Sequence, residues 1–351
     1  MRRLLATIAA MTLSSSLIGP WKPDESGTKA RFRGVSVVDG SVAWASGSQA
    51  TCLRTIDGGK TWKRLAVPDS NGLDFRDVQA IDDQTAYLLS IGPGELSRIY
   101  KTTDGGTSWT EQYRNRDPKG FLDAISFWDP SHGLALGDPI NGRYEILTTD
   151  DGGKTWAKIP ESGMPEALTN EGAFAASGTC LVVQGDSNAW FGTGGGTSAR
   201  VFRSTDRGRT WSVATTPIRA GIASAGVFGL AFRDPEHGIA VGGDYKSVDN
   251  PSGNIALTID GGRTWTAPEK NPPSGFRSAV AFVPGKSGVV VCVGPSGSDL
   301  SKDGGQTWSK LEGPGFHAIG FGTTETAGWG VGEDGRIAKF VRMAFEARVG
   351  K

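Results

Sequence analysis

The chain has 351 residues, 37 basic and 37 acidic, and so no formal net charge, which removes the electrostatic case for a nucleic-acid-binding domain. Its 52 glycines are about twice ordinary usage but follow no three-residue period, so collagen is excluded. Three cysteines cannot build a four-cysteine zinc site, and no metal or cofactor is assigned.

In chain order, the first element is a leader. Arg2 and Arg3 precede an uncharged apolar and small-residue run from Leu4 to Leu17. This reads as a signal peptide over residues 1–19, although no clean Ala-x-Ala site follows. It is shorter than the ~20 apolar residues of a membrane span. The expectation is export to the periplasm or beyond, with residues 20–351 forming one domain and no transmembrane segment.

From there an octapeptide of pattern (S/T)-x-D-x-G-x-(T/S)-W recurs six times, as TIDGGKTW (Thr55–Trp62), TTDGGTSW (Thr102–Trp109), TDDGGKTW (Thr149–Trp156), STDRGRTW (Ser204–Trp211), TIDGGRTW (Thr258–Trp265) and SKDGGQTW (Ser301–Trp308). The tryptophans are spaced by 47, 47, 55, 54 and 43 residues. Each box follows three short β-patterned runs. In the first unit these are Arg33–Asp39, Val42–Ser46 and Cys52–Thr55, with Lys63–Val67 leaving the box. Four strands per unit at this period predict a propeller blade.

A seventh unit, Phe316–Phe321, Gly328–Val331 and Arg336–Phe340, lacks a box. Trp21 stands near the N-terminus with the missing residue type. The expectation is an all-β, seven-bladed β-propeller, a monomer, closed by an outer strand near residues 21–26. The turns DPSHG (Asp129–Gly133) and DPEHG (Asp234–Gly238) occupy equivalent places, so His132 and His237 read as exposed turn residues. Only His317 remains as a candidate functional histidine. Cys52, Cys180 and Cys292 fall in non-adjacent units, which predicts three free, mostly buried thiols.

The box aspartates Asp57, Asp104, Asp151, Asp206, Asp260 and Asp303 read as structural because they are repeated. The side chain accepts hydrogen bonds from turn amides, and Trp62, Trp109, Trp156, Trp211, Trp265 and Trp308 join the core.

These boxes resemble the Asp-box (BNR) repeats of sialidases, sortilin-type receptors, xyloglucanases and the photosystem II stability/assembly factor family. Regular DGGxTW boxes, with LDFRDVQAIDDQTAYLLSIGPGE, ARVFRSTDRGRTW and GWGVGEDGRIAKF, are most similar to the last family, in its non-photosynthetic bacterial branch. The resemblance covers about residues 20–342 and implies a module that binds a protein rather than a catalyst.

In propellers, function usually sits on the face away from such boxes. Aligning the units places Arg33, Arg76, Leu122, Gly229, Arg277 and His317 in one column, followed by Gly34, Asp77, Asp123, Leu230, Ser278 and Ala318. Loops between second and third strands add Glu95, Asp138, Arg143, Asp244, Tyr245, Lys246, Asp249, Ser296, Asp299 and Glu333. The expected partner site is therefore a channel mouth with Arg33, Arg76, Asp77, Glu95, Asp123, Asp138, Asp244, Tyr245, Arg277 and His317, taking a protein or peptide segment. The plain alternative is that these groups pair with one another around a solvated pore.

No enzyme is assigned. A carbohydrate-active propeller is the alternative, with Asp77, Asp123 and Asp138 as its acids. Sialidase chemistry lacks an Arg-Ile-Pro motif, and Tyr245 is the only tyrosine on a rim loop. An oxidoreductase with a cofactor in the mouth ranks last. GTGGGT (Gly192–Thr197) opens no helix, and Arg54 and Thr148 stand where a phosphate loop needs glycine.

Overall fold

The structure is a computed structural model and describes residues 19–322 and 327–341. The expected signal peptide, apart from its last residue, lies outside the described residues. The described strands form seven separate antiparallel sheets, the blades of a β-propeller. Blade 1 comprises Phe32–Val37, Ala43–Gly47, Thr51–Thr55 and Lys63–Arg64 in that spatial order. The innermost strand thus starts one residue early and ends before Asp39, and the outermost is shorter than predicted. Blade 5 keeps three full strands, and its fourth is a single bridge between Leu257 and Thr266. Pro268, two residues on, has no N–H to extend that ladder.

Blade 7 is built from both ends of the domain. Trp21–Asp24 pairs antiparallel with Ile337–Phe340, in the register Trp21 to Phe340 and Asp24 to Ile337. Among the described residues the core is not one cluster but seven that each span two neighbouring blades, with a smaller eighth of Ala176, Phe228 and Phe276 at the axis. Its logic is that a bulky residue early in the second strand of one blade meets the box tryptophan of the next. Trp44 of blade 1 meets Trp109 edge-on at 6.1 Å, and Trp329 of blade 7 meets Trp62 at 6.3 Å. Tyr87 stacks on Phe127, which meets Trp156, and Trp190 stacks on Phe232, which meets Trp265. Leu134 clusters with Trp211, and Ile239 with Trp308. The last joint, between blades 6 and 7, has no box. There Trp21 packs with Val291, with Phe316 at 4.4 Å and with Phe340 at 5.1 Å. Trp21 therefore does the packing work of a seventh box tryptophan.

The three cysteines are free and buried. His132 and His237 do sit in the equivalent turns, but half-buried, each ring nitrogen Nδ1 bonded to the turn aspartate Asp129 or Asp234 at 2.8–3.0 Å.

Replacing Trp21 with Ala should destabilise the fold by about 3–5 kcal/mol, the range for truncating a buried large aromatic. Denaturant titration checks this. A cost below about 1 kcal/mol would mean that the closing strand is not part of the cooperative core.

Candidate functional site

The boxes define one face. In the first, Thr61 donates to Asp57 from its backbone N–H (2.9 Å) and its hydroxyl (2.7 Å), while the Thr55 hydroxyl donates to the same carboxylate at 2.9 Å. The Gly59 amide in turn donates to the Thr55 hydroxyl. This explains why the first and seventh box positions are Ser or Thr. Gly58 and Gly59 have φ of +76° and +88°, a region a side chain would strain. In the fourth box Arg207 takes the first of these positions with φ +59°. These bonds, the Thr61 amide first, hold Asp57 down at about 2. The same pattern recurs at Asp104, Asp151, Asp206, Asp260 and Asp303. Every box carboxylate is thus occupied by its own turn.

The opposite face, formed by the connections entering each blade and the loops from second to third strand, carries a cavity of about 600 Å³. None of its lining residues belongs to a box. One part is polar, with Arg31, Arg33, Arg76, His317 and Glu333, another is aromatic, with Phe174, Phe228, Tyr245 and Phe276, and Asp123 and Asp138 also line it. Phe174 stacks on Phe228 at 3.9 Å, and Phe276 meets Phe228 edge-on at 4.7 Å. The loop after Asp244 contributes Tyr245 and Val248, the latter held by its carbonyl to the Phe276 amide and the Ser296 hydroxyl.

The cavity floor includes Ala173–Ala176, a segment that sequence reasoning missed. It belongs to the connection from blade 3 to blade 4, and the jump in tryptophan spacing to 55 was its trace. Arg76 donates to the Ala175 carbonyl at 2.9 Å, Arg33 to the Ala176 carbonyl at 3.4 Å, and the Ala173 amide donates to Asp138 at 3.0 Å. The segment closes the central channel and orients both arginines.

The predicted column is off by one in three of its blades, and in blades 3 and 5 a β-bulge explains why. In blades 1, 2, 3 and 5 the inner strand skips one residue in pairing with the second strand: Arg33, Arg76, Asp123 and Phe228. Register in blades 6 and 7 adds Ser278 and His317. All six line the cavity. Leu122 instead packs in the core, and Gly229 lies one step past the bulge.

Arg277 is a further correction. It is fully buried, donates to Asp299 at 2.7 Å, and also donates to the Phe276 carbonyl, Ser296 and Ser274. It does not reach the mouth, so Arg33, Arg76 and Arg277 form no triad. Glu95 lies on an exposed turn, ion-paired with Arg116 at 2.7 Å and Arg114 at 3.5 Å, outside the cavity lining. Asp244 is buried and spent on its own turn, accepting from the Lys246 amide and the Ser247 hydroxyl. Asp77 also lines no cavity wall. Its carboxylate accepts from the Ile125 amide at 2.9 Å and lies against Gly178, beneath the floor segment. Asp123, Asp138 and Tyr245 do line the cavity.

Glu333 organises the polar part, bonding His317 Nε2 at 2.7 Å and accepting from Arg31 at 2.9 Å, with Arg33 at 4.0 Å. Burial pushes Glu333 up, but these bonds outweigh it and hold it below the usual carboxylate range. Burial, then the neighbouring Arg33, lowers His317 to about 4, so the ring is neutral near pH 7. Burial and the Arg76 charge bring Arg33 to about 10, which leaves it protonated at neutral pH. The acids deeper in behave oppositely: burial, then the charge of Asp138, raises Asp123 well above its usual range, and burial raises Asp138. Among the described residues no group of three His, Cys, Asp or Glu is placed to hold a metal ion.

Fold and boxes together define a seven-bladed Asp-box β-propeller. Residues 20–120 match the family model for photosynthesis system II assembly factor YCF48, and residues 300–310 match the BNR/Asp-box repeat. The photosystem II assembly lipoprotein Ycf48 of Synechococcus sp. (strain CC9902) is 26% identical over 277 residues, 76% of this chain and 72% of that protein. Ycf48 of Thermosynechococcus vestitus is 26% identical over 325 residues, 78% and 83% of the two chains. Among solved structures, YCF48 bound to D1 peptide is similar with a TM-score of 0.66 at 22% identity, covering 92% of this chain and 97% of that one. A GH74 xyloglucanase from Xanthomonas campestris gives 0.60 at 16% identity, covering 92% of this chain and 53% of that one. Both structural likenesses concern the fold. Among Asp-box propellers, this chain is photosystem II assembly factor-like.

Burial of Asp77 makes a pH prediction. Its carboxyl is pushed from near 3.8 up to about 7, so between those values the folded chain keeps a proton that the unfolded chain has lost. Its stabilising contribution is full below the lower value and is lost as pH rises through the upper one, at up to about 1.4 kcal/mol per pH unit. His317, lowered on folding, acts in the opposite sense over part of that window. The difference between parent and Asp77→Asn cancels it. Unfolding free energies should therefore shift in favour of Asp77→Asn as pH rises from about 4 to about 7. A difference that does not vary with pH would contradict a protonated Asp77.

Proposed function

We propose that the chain is an exported protein-binding module of the assembly-factor kind, and that a peptide segment of its partner docks in the cavity opposite the boxes. The observation that carries this reading is the cavity's division. Arg31, Arg33 and Arg76 present three guanidiniums with Glu333 as the ionised counter-group, beside a wall of Phe174, Phe228, Phe276 and Tyr245. Guanidiniums fixed by a floor segment bind carboxylates with little ordering cost, and aromatic walls accept apolar side chains. The partner class this fits is an extended segment with an acidic residue next to an apolar one.

The related proteins support the reading. They are named as assembly proteins or lipoproteins, and a solved fold relative holds a peptide. Export rests on the basic and apolar N-terminal run. No described helix is long and apolar enough to cross a membrane. The carbohydrate-active alternative keeps a weaker support, a xyloglucanase 25% identical over 194 residues, 47% of this chain and 22% of that protein.

Replacing both Arg33 and Arg76 with Ala should weaken capture of acidic peptides by about 10-fold or more, with raised salt weakening the parent in the same direction. The thermal midpoint should stay within a few degrees of the parent. Binding by fluorescence anisotropy and melting by calorimetry check both. Unchanged capture would refute the cavity as the docking site. Turnover of polysaccharides or aryl glycosides that is lost in Asp123→Asn would favour the enzyme instead.

A further inference from the structure

Beyond the arginines, the cavity wall holds buried acceptors with nothing to accept. Asp123 is 1% exposed, and its Oδ2 has no hydrogen-bond partner. His317 is 5% exposed, and while its Nε2 bonds Glu333, its Nδ1 has none. Both residues line the same cavity. Unpartnered buried polar atoms are costly and rare in folded proteins. Two lining one cavity point to donors that arrive with a ligand.

Asp123 has a second acid beside it. Asp138 also lines the cavity, holding the floor through the Ala173 amide. Other groups around Asp123 do not supply a counter-cation. Asp77 and Cys180 are uncharged or acidic neighbours from blades 2 and 4, while the guanidinium of Arg76 is engaged by Asp74 at 2.9 Å and by the Ala175 carbonyl. Arg33 is turned to the Ala176 carbonyl and the Glu333 side. So one end of the cavity gathers cations and another gathers acids that no protein cation meets. An ammonium or guanidinium satisfies such a pair better than a neutral donor, because charge-assisted bonds are roughly twice as strong.

We propose that Asp123 and Asp138 form a subsite for a basic side chain, lysine or arginine, of the docked segment. This rests on the peptide-docking reading and adds to it a second specificity element: the recognised segment carries opposite charges, acid against Arg33 and Arg76 and base against the acid pair. The positive charge of the entering base is balanced by carboxylate charge on the pair, and any proton held there leaves to solvent. Elsewhere in the same cavity, the His317 Nδ1 acceptor is open to a backbone N–H of that segment.

The test is selection of a phage-displayed random hexapeptide library on the full chain, on Asp123→Asn and on Asp138→Asn, with deep sequencing. Thermal melts confirm that each protein is folded. If one variant fails to fold, the other reads the subsite. The parent should enrich peptides carrying both an acid and a Lys or Arg. The variants should keep the acidic enrichment but lose the basic one by about 10-fold. Arg33→Ala with Arg76→Ala should do the reverse, losing the acidic preference. Acidic peptides without a basic residue would overturn the subsite and leave the docking reading intact. Basic enrichment that survives in both Asn variants would also overturn it. No enrichment at all on the parent would overturn both.

Discussion

A ring of blades has no natural end, and the whole structure depends on how the last joint is closed. Six joints are made alike, by a box tryptophan against the second strand of the preceding blade. The seventh has no box, and Trp21 from the other end of the domain fills the same place against Phe316, Phe340 and Val291. The backbone pairing of Trp21–Asp24 with Ile337–Phe340 adds the outer strand. Asp24, at the other end of that strand, serves the neighbouring joint between blades 7 and 1, accepting from the indole N–H groups of Trp329 at 2.9 Å and Trp62 at 3.4 Å. Closing a loop of this length costs only slowly more than closing a short one, whereas an open ring would expose two sheet faces to water.

Closure makes the disc stiff, and stiffness explains the division of labour between its faces. On one face each hairpin is tied by its own aspartate, so the boxes are saturated with internal bonds. On the other, loops of different length come together at the axis. There the extra residues between blades 3 and 4 fold inward, close the channel and fix the two arginines through backbone carbonyls. A site held this way loses little entropy when it binds. The unpaired acceptors of Asp123 and His317 are the local cost, tolerated because the surrounding ring over-determines their positions.

The fold was legible because the same eight residues repeat and each has a mechanical role that spacing alone exposes. The site was legible only in part. Arg33, Arg76 and His317 followed from their position after an aromatic residue. The same rule failed at Leu122 and Gly229, where a bulge adds a residue and the aromatic stands on different sides of it, and at Arg277, where Phe276 stands two residues before the cavity-lining Ser278. Leu122 and Gly229 were misplaced by that one-residue slip, which in a strand moves a side chain to the other face. The floor segment carried no motif. Its eight extra residues relative to the first units were visible as spacing, but nothing in EALTNEGAFAASG says that it turns into the channel.

Native-state hydrogen exchange tests the closed-ring account most directly. If Trp21–Asp24 locks the last joint, amides of the strand Ile337–Phe340 exchange through the same global opening as those of Arg143–Thr149 in blade 3, with matching free energies and matching dependence on denaturant. Separate, faster exchange of the blade 7 amides, with little denaturant dependence, would show a ring that opens at its joint and would contradict the account.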